Sequence, residues 1–126
     1  MSSTSKKRII RKRRQANRRG FIAEKIAEFL LRLKGYRIVE KRYKKPVGEI
    51  DLIVFRKNTI VAVEVKMRKN LDKALHAVGH IQQRRIRRAM ELFLANNPQY
   101  TNCDVRLDLV LVTSFIRKPV HMENAW

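Results

Sequence analysis

The chain has 126 residues, 44% of them hydrophobic, enough for one domain with a modest core. Thirty Lys plus Arg against 11 Asp plus Glu give a formal charge of +19, which makes nucleic acid the default partner and an anionic membrane surface the weaker alternative. The one cysteine, Cys103, excludes an internal disulfide and fits a reducing cytoplasm; no apolar run reaches the ~20 residues of a membrane span, and the basic start lacks the apolar stretch of a secretory signal, leaving a transit peptide as a lesser reading.

Residues 1–15 read as a basic arm. Lys6-Lys7-Arg8 and Arg11-Lys12-Arg13-Arg14, followed by Arg18-Arg19, repel one another and leave this segment disordered until it meets an anion. From Ala16 to Lys34 the pattern is helical: Ile22, Ile26, Phe29, Leu30 and Leu33 recur at helical spacing, and Gly35 supplies the stop. Tyr36 to Tyr43 reads as a strand, and Pro46-Val47-Gly48 breaks the chain after it. Glu49 to Phe55 and Ile60 to Met67 are rich in β-branched residues and read as two strands joined by the turn Arg56-Lys57-Asn58-Thr59. Asn70 to Ala77 is a short helix or loop. His80 to Asn96 is a second long helix with Ile86, Ala89, Met90 and Phe93 on its apolar face, ended by Pro98. Asp104 to Thr113 is a strand with Val105, Leu107, Leu109 and Leu111 on one face, and Val120 to Ala125 adds an edge strand. This order predicts an α/β or α+β sheet with helices packed on it. Phe21, Phe29, Tyr36 and Phe93 read as core side chains, not base-stacking groups. Cys103 reads as a packing residue. His76, His80 and His121 lack the spacing of a zinc site.

The central hairpin holds the most informative pattern. Side chains alternate faces along a strand. Ile50, Leu52 and Val54 then share one face while Glu49 and Asp51 take the other; Val61, Val63 and Val65 share a face while Glu64 and Lys66 take the other. Pairing Phe55 with Ile60 sets Ile53 against Ala62, Asp51 against Glu64, and Glu49 against Lys66. A one-residue slip would mix the faces, so the pattern resists it. Facing carboxylates cost ~0.2–1 kcal/mol relative to a neutral pair, so a cation belongs between them. Mg2+ or Mn2+ prefers oxygen ligands, and the Val65 carbonyl lies between Glu64 and Lys66. Such a metal would lower the pKa of a bound water and stabilise charge on a scissile phosphate, with Lys66 orienting that water. The same spacing also fits a partly buried Glu–Lys ion pair with Asp51 reaching solvent.

Gly48-Glu49-Ile50-Asp51-Leu52-Ile53 followed by Val63-Glu64-Val65-Lys66 resembles the core motif of the PD-(D/E)xK nuclease superfamily, and more closely the YraN family, whose members resemble archaeal Holliday-junction resolvases. The resemblance extends to Gly20 and Glu24, to Gly35-Tyr36 with Ile38, to Arg106-Leu107-Asp108, and to His121 with Asn124-Ala125-Trp126. It implies a restriction-endonuclease-like three-layer core over residues 16–126, with a mixed central sheet flanked by helices. It implies Asp51 and Glu64 as metal ligands, Lys66 as the catalytic lysine, and Glu24 as a third acidic group reaching the metal directly or through water. Glu49, across from Lys66, would tune it or pair with it. Junction-cleaving relatives are dimers, so a homodimer is implied as well. Ala23, Tyr43 and Gln82 depart from the family's usual glycine, asparagine and lysine, and none of these changes removes a metal-binding oxygen.

Arg84, Arg85, Arg87 and Arg88 place four arginines within five positions of the second long helix, with only Glu91 as a nearby acid. Either this is a solvated face, or, with Lys12, Arg13 and Arg14 of the arm, it is a phosphate-tracking surface. Gln82 is a further candidate for contact with nucleic acid. The function expected is metal-dependent phosphodiester hydrolysis of DNA, with branched or junction DNA among the candidate substrates. The rival is a non-catalytic nucleic-acid-binding accessory protein.

Overall fold

The structure, a computed structural model, describes the backbone of residues 3–126, and the side chains of these residues apart from 12–17. The arm positions Lys12, Arg13 and Arg14 therefore lie outside the described side chains. The elements in order are α1 (Ser3–Leu33), β1 (Arg37–Lys45), β2 (Gly48–Arg56), β3 (Thr59–Met67), α2 (Leu71–Ala77), α3 (His80–Asn96), a 3-10 turn (Pro98–Tyr100), β4 (Asp104–Val112) and β5 (Val120–Met122). The strands form one sheet in the order β1-β2-β3-β4-β5. All neighbours are antiparallel except β3 and β4, which run parallel and are joined by the crossover through α2 and α3.

The layers follow from strands that bury both faces. Ile53, Ile60, Ala62, Leu107, Leu109 and Leu111 join one core with Ile86, Ala89, Met90 and Phe93 of α3. Leu52, Val54, Val61, Val63 and Val110 join a second core with Ala27, Leu30 and Leu31 of α1. Helices thus cover both faces of a mixed sheet. This is the three-layer α/β arrangement expected, compatible with a restriction-endonuclease-like fold.

Four local readings are corrected. The first helix begins at Ser3, well before Ala16. Lys, Arg, Gln and Ala are strong helix formers, and their propensity carries the helix into a run whose charge alone suggests disorder. The stripe α1 buries is Ala23, Ala27, Leu30 and Leu31, while Phe21, Ile22, Phe29 and Leu33 are exposed. Both stripes have helical spacing; the small alanines win because they let the helix sit close to the sheet. The hairpin turn is two residues, not four, since Arg56 pairs with Thr59. Lys57 and Asn58 both have positive φ, 47° and 61°, which makes it a type I′ turn matched to the twist of the strands. Finally, Ile50 belongs to the α3 core while Leu52 and Val54 belong to the α1 core, so the alternation of β2 is interrupted at Asp51. Arg42, across from that interruption on β1, has φ 51°.

Two glycines have specific duties. Gly35, at φ 92°, closes α1: the Tyr36 N–H bonds the Leu31 carbonyl and the Gly35 N–H that of Arg32, both at 3.0 Å. Gly48 lets β2 meet α3; a Cβ there would lie 1.9 Å from the Arg85 carbonyl oxygen.

Candidate active site

The register of the hairpin is the one the sequence predicts, with Phe55 against Ile60 and Ile53 against Ala62. The ladder runs to Leu52 against Val63 and ends there. Beyond that point the Asp51 carboxylate takes the place of a backbone partner: its Oδ2 accepts the Val65 N–H at 2.8 Å. A side chain that substitutes for a strand's carbonyl holds the two strands apart at their ends and fixes Asp51 beside Glu64.

Glu64 is buried, at 5% exposure. Its Oε1 is 3.3 Å from Lys66 Nζ and accepts a hydrogen bond from Gln82 Nε2 at 2.8 Å. Burial, then the charge of Asp51, push the Glu64 carboxyl up to about 8. Asp51 is also raised, by burial first and by the charge of Glu24, against the lowering effect of the Val65 N–H. Two carboxylates in one poorly solvated spot resist full ionisation, and a hard cation would relieve that stress.

The cavity above this pair has a volume of about 320 Å3 and is lined by Glu24, Glu49, Asp51, Glu64, Val65, Lys66 and Gln82, among others. All four residues expected to be catalytic therefore face one space. They do not close on one point. Glu24 Oε2 lies 3.0 Å from Arg42 Nε, and no group of three or more His, Cys, Asp or Glu side chains among the described residues is close enough to hold a metal. The gathered set is Asp51, Glu64, Lys66 and Gln82. Gln82 thus belongs to this site by contact. Lys66 takes Glu64 as its partner, and Glu49 instead sits on β2 opposite Lys44 of β1.

A larger groove of about 790 Å3 adjoins this cavity, running between α1 and β1 and sharing Gly20, Glu24, Glu49 and Asp51 with it. Arg84, Arg85, Arg87 and Arg88 are all exposed on α3, on the helix whose first turn supplies Gln82.

One polar cluster was not foreseen. Asp108, fully buried, accepts hydrogen bonds from Arg106 at 2.8 and 2.9 Å, from His121 Nε2 at 2.7 Å and from the Asn124 N–H at 3.0 Å. Lys34 Nζ reaches His121 Nδ1 at 2.9 Å. An ammonium only donates, so Nδ1 accepts and Nε2 carries the hydrogen given to Asp108. Burial alone would raise the Asp108 carboxyl, but these donors more than offset it and hold it below its usual range. The signal was the i, i+2 spacing of Arg106 and Asp108 on one strand face; the histidine partner is thirteen residues further on, beyond the reach of local pattern.

Comparison with known proteins decides the family. The model of the uncharacterised protein family UPF0102 matches residues 23–112. The chain belongs to family UPF0102. This is the YraN family that the hairpin motif suggested. Among its UPF0102 relatives, a protein of Chelativorans sp. (strain BNC1) is 47% identical over 114 residues, covering 90% of this chain and 91% of the relative. One from Mesorhizobium japonicum is 44% identical, covering 90% of each, and one from Parvibaculum lavamentivorans is 46% identical, covering 88% and 83%. The family match spans Glu24, the hairpin, Gln82 and Asp108; it begins after Phe21 and ends before His121. No activity is attached to the UPF0102 name. Among the described residues, no helix is long and apolar enough to cross a membrane.

Proposed function

We propose that this UPF0102 chain is a metal-dependent phosphodiesterase acting on DNA. The observation that carries the reading is the Asp51–Glu64 pair, forced together by the opened end of the hairpin, with Lys66 and Gln82 both on Glu64 Oε1. The donor set suits a hard cation: two carboxylates, with the Val65 carbonyl between Glu64 and Lys66 as a third oxygen. Mg2+ or Mn2+ held there would neutralise charge on the scissile phosphate and supply a water of lowered pKa. The chain's own groups do the positioning. Gln82 and Lys66 fix the direction of the Glu64 carboxylate, and the Val65 N–H fixes that of Asp51. Lys66 keeps an ammonium at the cavity, where it can hydrogen-bond a phosphate oxygen or the attacking water. Glu24, on the far wall, would act through water while Arg42 holds it. Water adds to phosphorus, the P–O bond to the leaving sugar oxygen breaks, and the proton lost by the water ends on that oxygen or in solvent.

Binding is assigned to the exposed arginines of α3 and to the basic start of the chain, including Lys12, Arg13 and Arg14. The rival, a non-catalytic nucleic-acid-binding protein, keeps the charge but has no use for a buried acid set against a half-buried one.

Cleavage of plasmid and branched DNA in Mg2+ tests the reading. Asp51→Ala and Lys66→Ala are each expected to lose about 10²-fold or more in rate, in line with the removal of one transition-state contact. Equal activity in wild type and both variants would assign the cleavage to a contaminant.

A further inference from the structure

Phe21 does not sit in the core. It is 49% exposed and stands on the wall of the groove between α1 and β1. Lys25 Nζ lies 5.4 Å and the Arg42 guanidinium 5.5 Å from its ring centroid. The groove lining is segregated. The residues it shares with the Asp51–Glu64 cavity are Gly20, Glu24, Glu49 and Asp51. The polar residues that line the groove alone are cations, Arg18, Arg42 and Lys44. One end is therefore acidic and adjoins the proposed metal site; the remainder is cationic with an exposed aromatic ring.

We propose that this groove is the path of an unpaired nucleic-acid strand, with a base stacked on Phe21 and the flanking phosphates on Arg18, Arg42 and Lys44. The inference rests on the hydrolase reading for what happens at the groove's acidic end, but not for the binding itself. Cationic tracks interleaved with aromatic rings are the chemistry that holds single strands, because every unpaired base offers a π face. A base inside a duplex does not: its faces are covered by its neighbours and only its edges are open. The substrate class this selects is DNA with an unpaired segment, such as an overhang, a flap or the opened arm of a branch. Lys25 does not line the groove and keeps its ion pair with Glu28 at 3.3 Å. Arg42, which lines it, is the cation beside an arriving base.

The test is anisotropy binding in EDTA, so that nothing is cleaved, with a short labelled single strand and the blunt duplex of the same sequence. Phe21→Ala and Phe21→Leu are expected to weaken single-strand binding by about 5- to 100-fold, the loss of one base stack, while leaving duplex binding nearly unchanged. Phe21→Trp is expected to retain single-strand binding and to show its added indole fluorescence quenched by the single strand and not by the duplex. Phe21→Leu keeps the apolar bulk, so a loss in that variant reports stacking and not packing. Unchanged single-strand binding in the alanine and leucine variants, or an equal loss on both probes, would overturn the proposal. The readout is independent of hydrolysis. Selective loss of single-strand binding in a chain that cleaves nothing would uphold the strand path and sink the hydrolase reading; cleavage with unaltered binding would do the reverse.

Discussion

Asp51 and Glu64 are acids kept where neither ionises easily, and folding bears the cost. Burial holds the Glu64 carboxyl at about 8 in the fold, against 4.5 for a glutamate in the unfolded chain. Between those values the folded chain holds more protons than the unfolded chain, so stability falls as pH rises through that window. The expected decline in urea midpoint from about pH 5 to about pH 8 corresponds to an effect on the order of a few kcal/mol, and Glu64→Gln is expected to flatten it. Parallel pH profiles for the wild type and the variant would contradict the assignment. Lys66 and Gln82 moderate the stress without removing it, since both work on the same oxygen of Glu64.

At the scale of elements, two parts of the sheet do different work. The central β2–β3 hairpin opens at the candidate site, and the β4–β5 edge is locked by Asp108. That carboxylate ties β4 to β5 through His121, to the tail through the Asn124 N–H, and through His121 to Lys34 beyond α1. Removing it leaves Arg106 and His121 without their common partner. Asp108→Ala is expected to cost about 3–5 kcal/mol in equilibrium unfolding, the usual loss when one member of a buried charged network is deleted. A change below about 1 kcal/mol, the size of a surface pair, would show that the network is incidental. Elements with one unambiguous pattern were legible in the sequence. The α3 face of Ile86, Ala89, Met90 and Phe93 and the hairpin register are examples, because a slip in either would bury charge. The face of α1 was not legible. It carries two apolar stripes at helical spacing, and which one packs depends on how closely the sheet approaches. The same ambiguity hid Phe21, which an apolar pattern assigns to the core and the structure places at the groove. Of the site, Glu64 and Lys66 were legible from alternation, and Asp51 from the hairpin register, since the alternation of its own strand is interrupted there. The contact of Gln82 was not, because it depends on how α3 lies over β2, an approach that Gly48 permits.

The whole molecule is a +19 body with two acids whose ionisation is opposed, Asp51 and Glu64, gathered at the opened end of its central hairpin. On the proposed function, that contrast separates binding from chemistry. Phosphate contacts by the arginines of α3 and the basic start would release counterions, so affinity for DNA is expected to fall by ~10³–10⁵ between roughly 50 and 200 mM salt if six to ten phosphates are engaged. Binding that is nearly flat with salt would remove the electrostatic half of the account. The metal half has a more direct test, because the rival accessory-protein reading has no place for a cation. Calorimetric titration with Mn2+ and Mg2+ should show a saturable site in the wild type that Asp51→Ala abolishes. Absence of any such site in the wild type, or a site that survives Asp51→Ala unchanged, would contradict the claim that the opened hairpin is a metal-dependent active site.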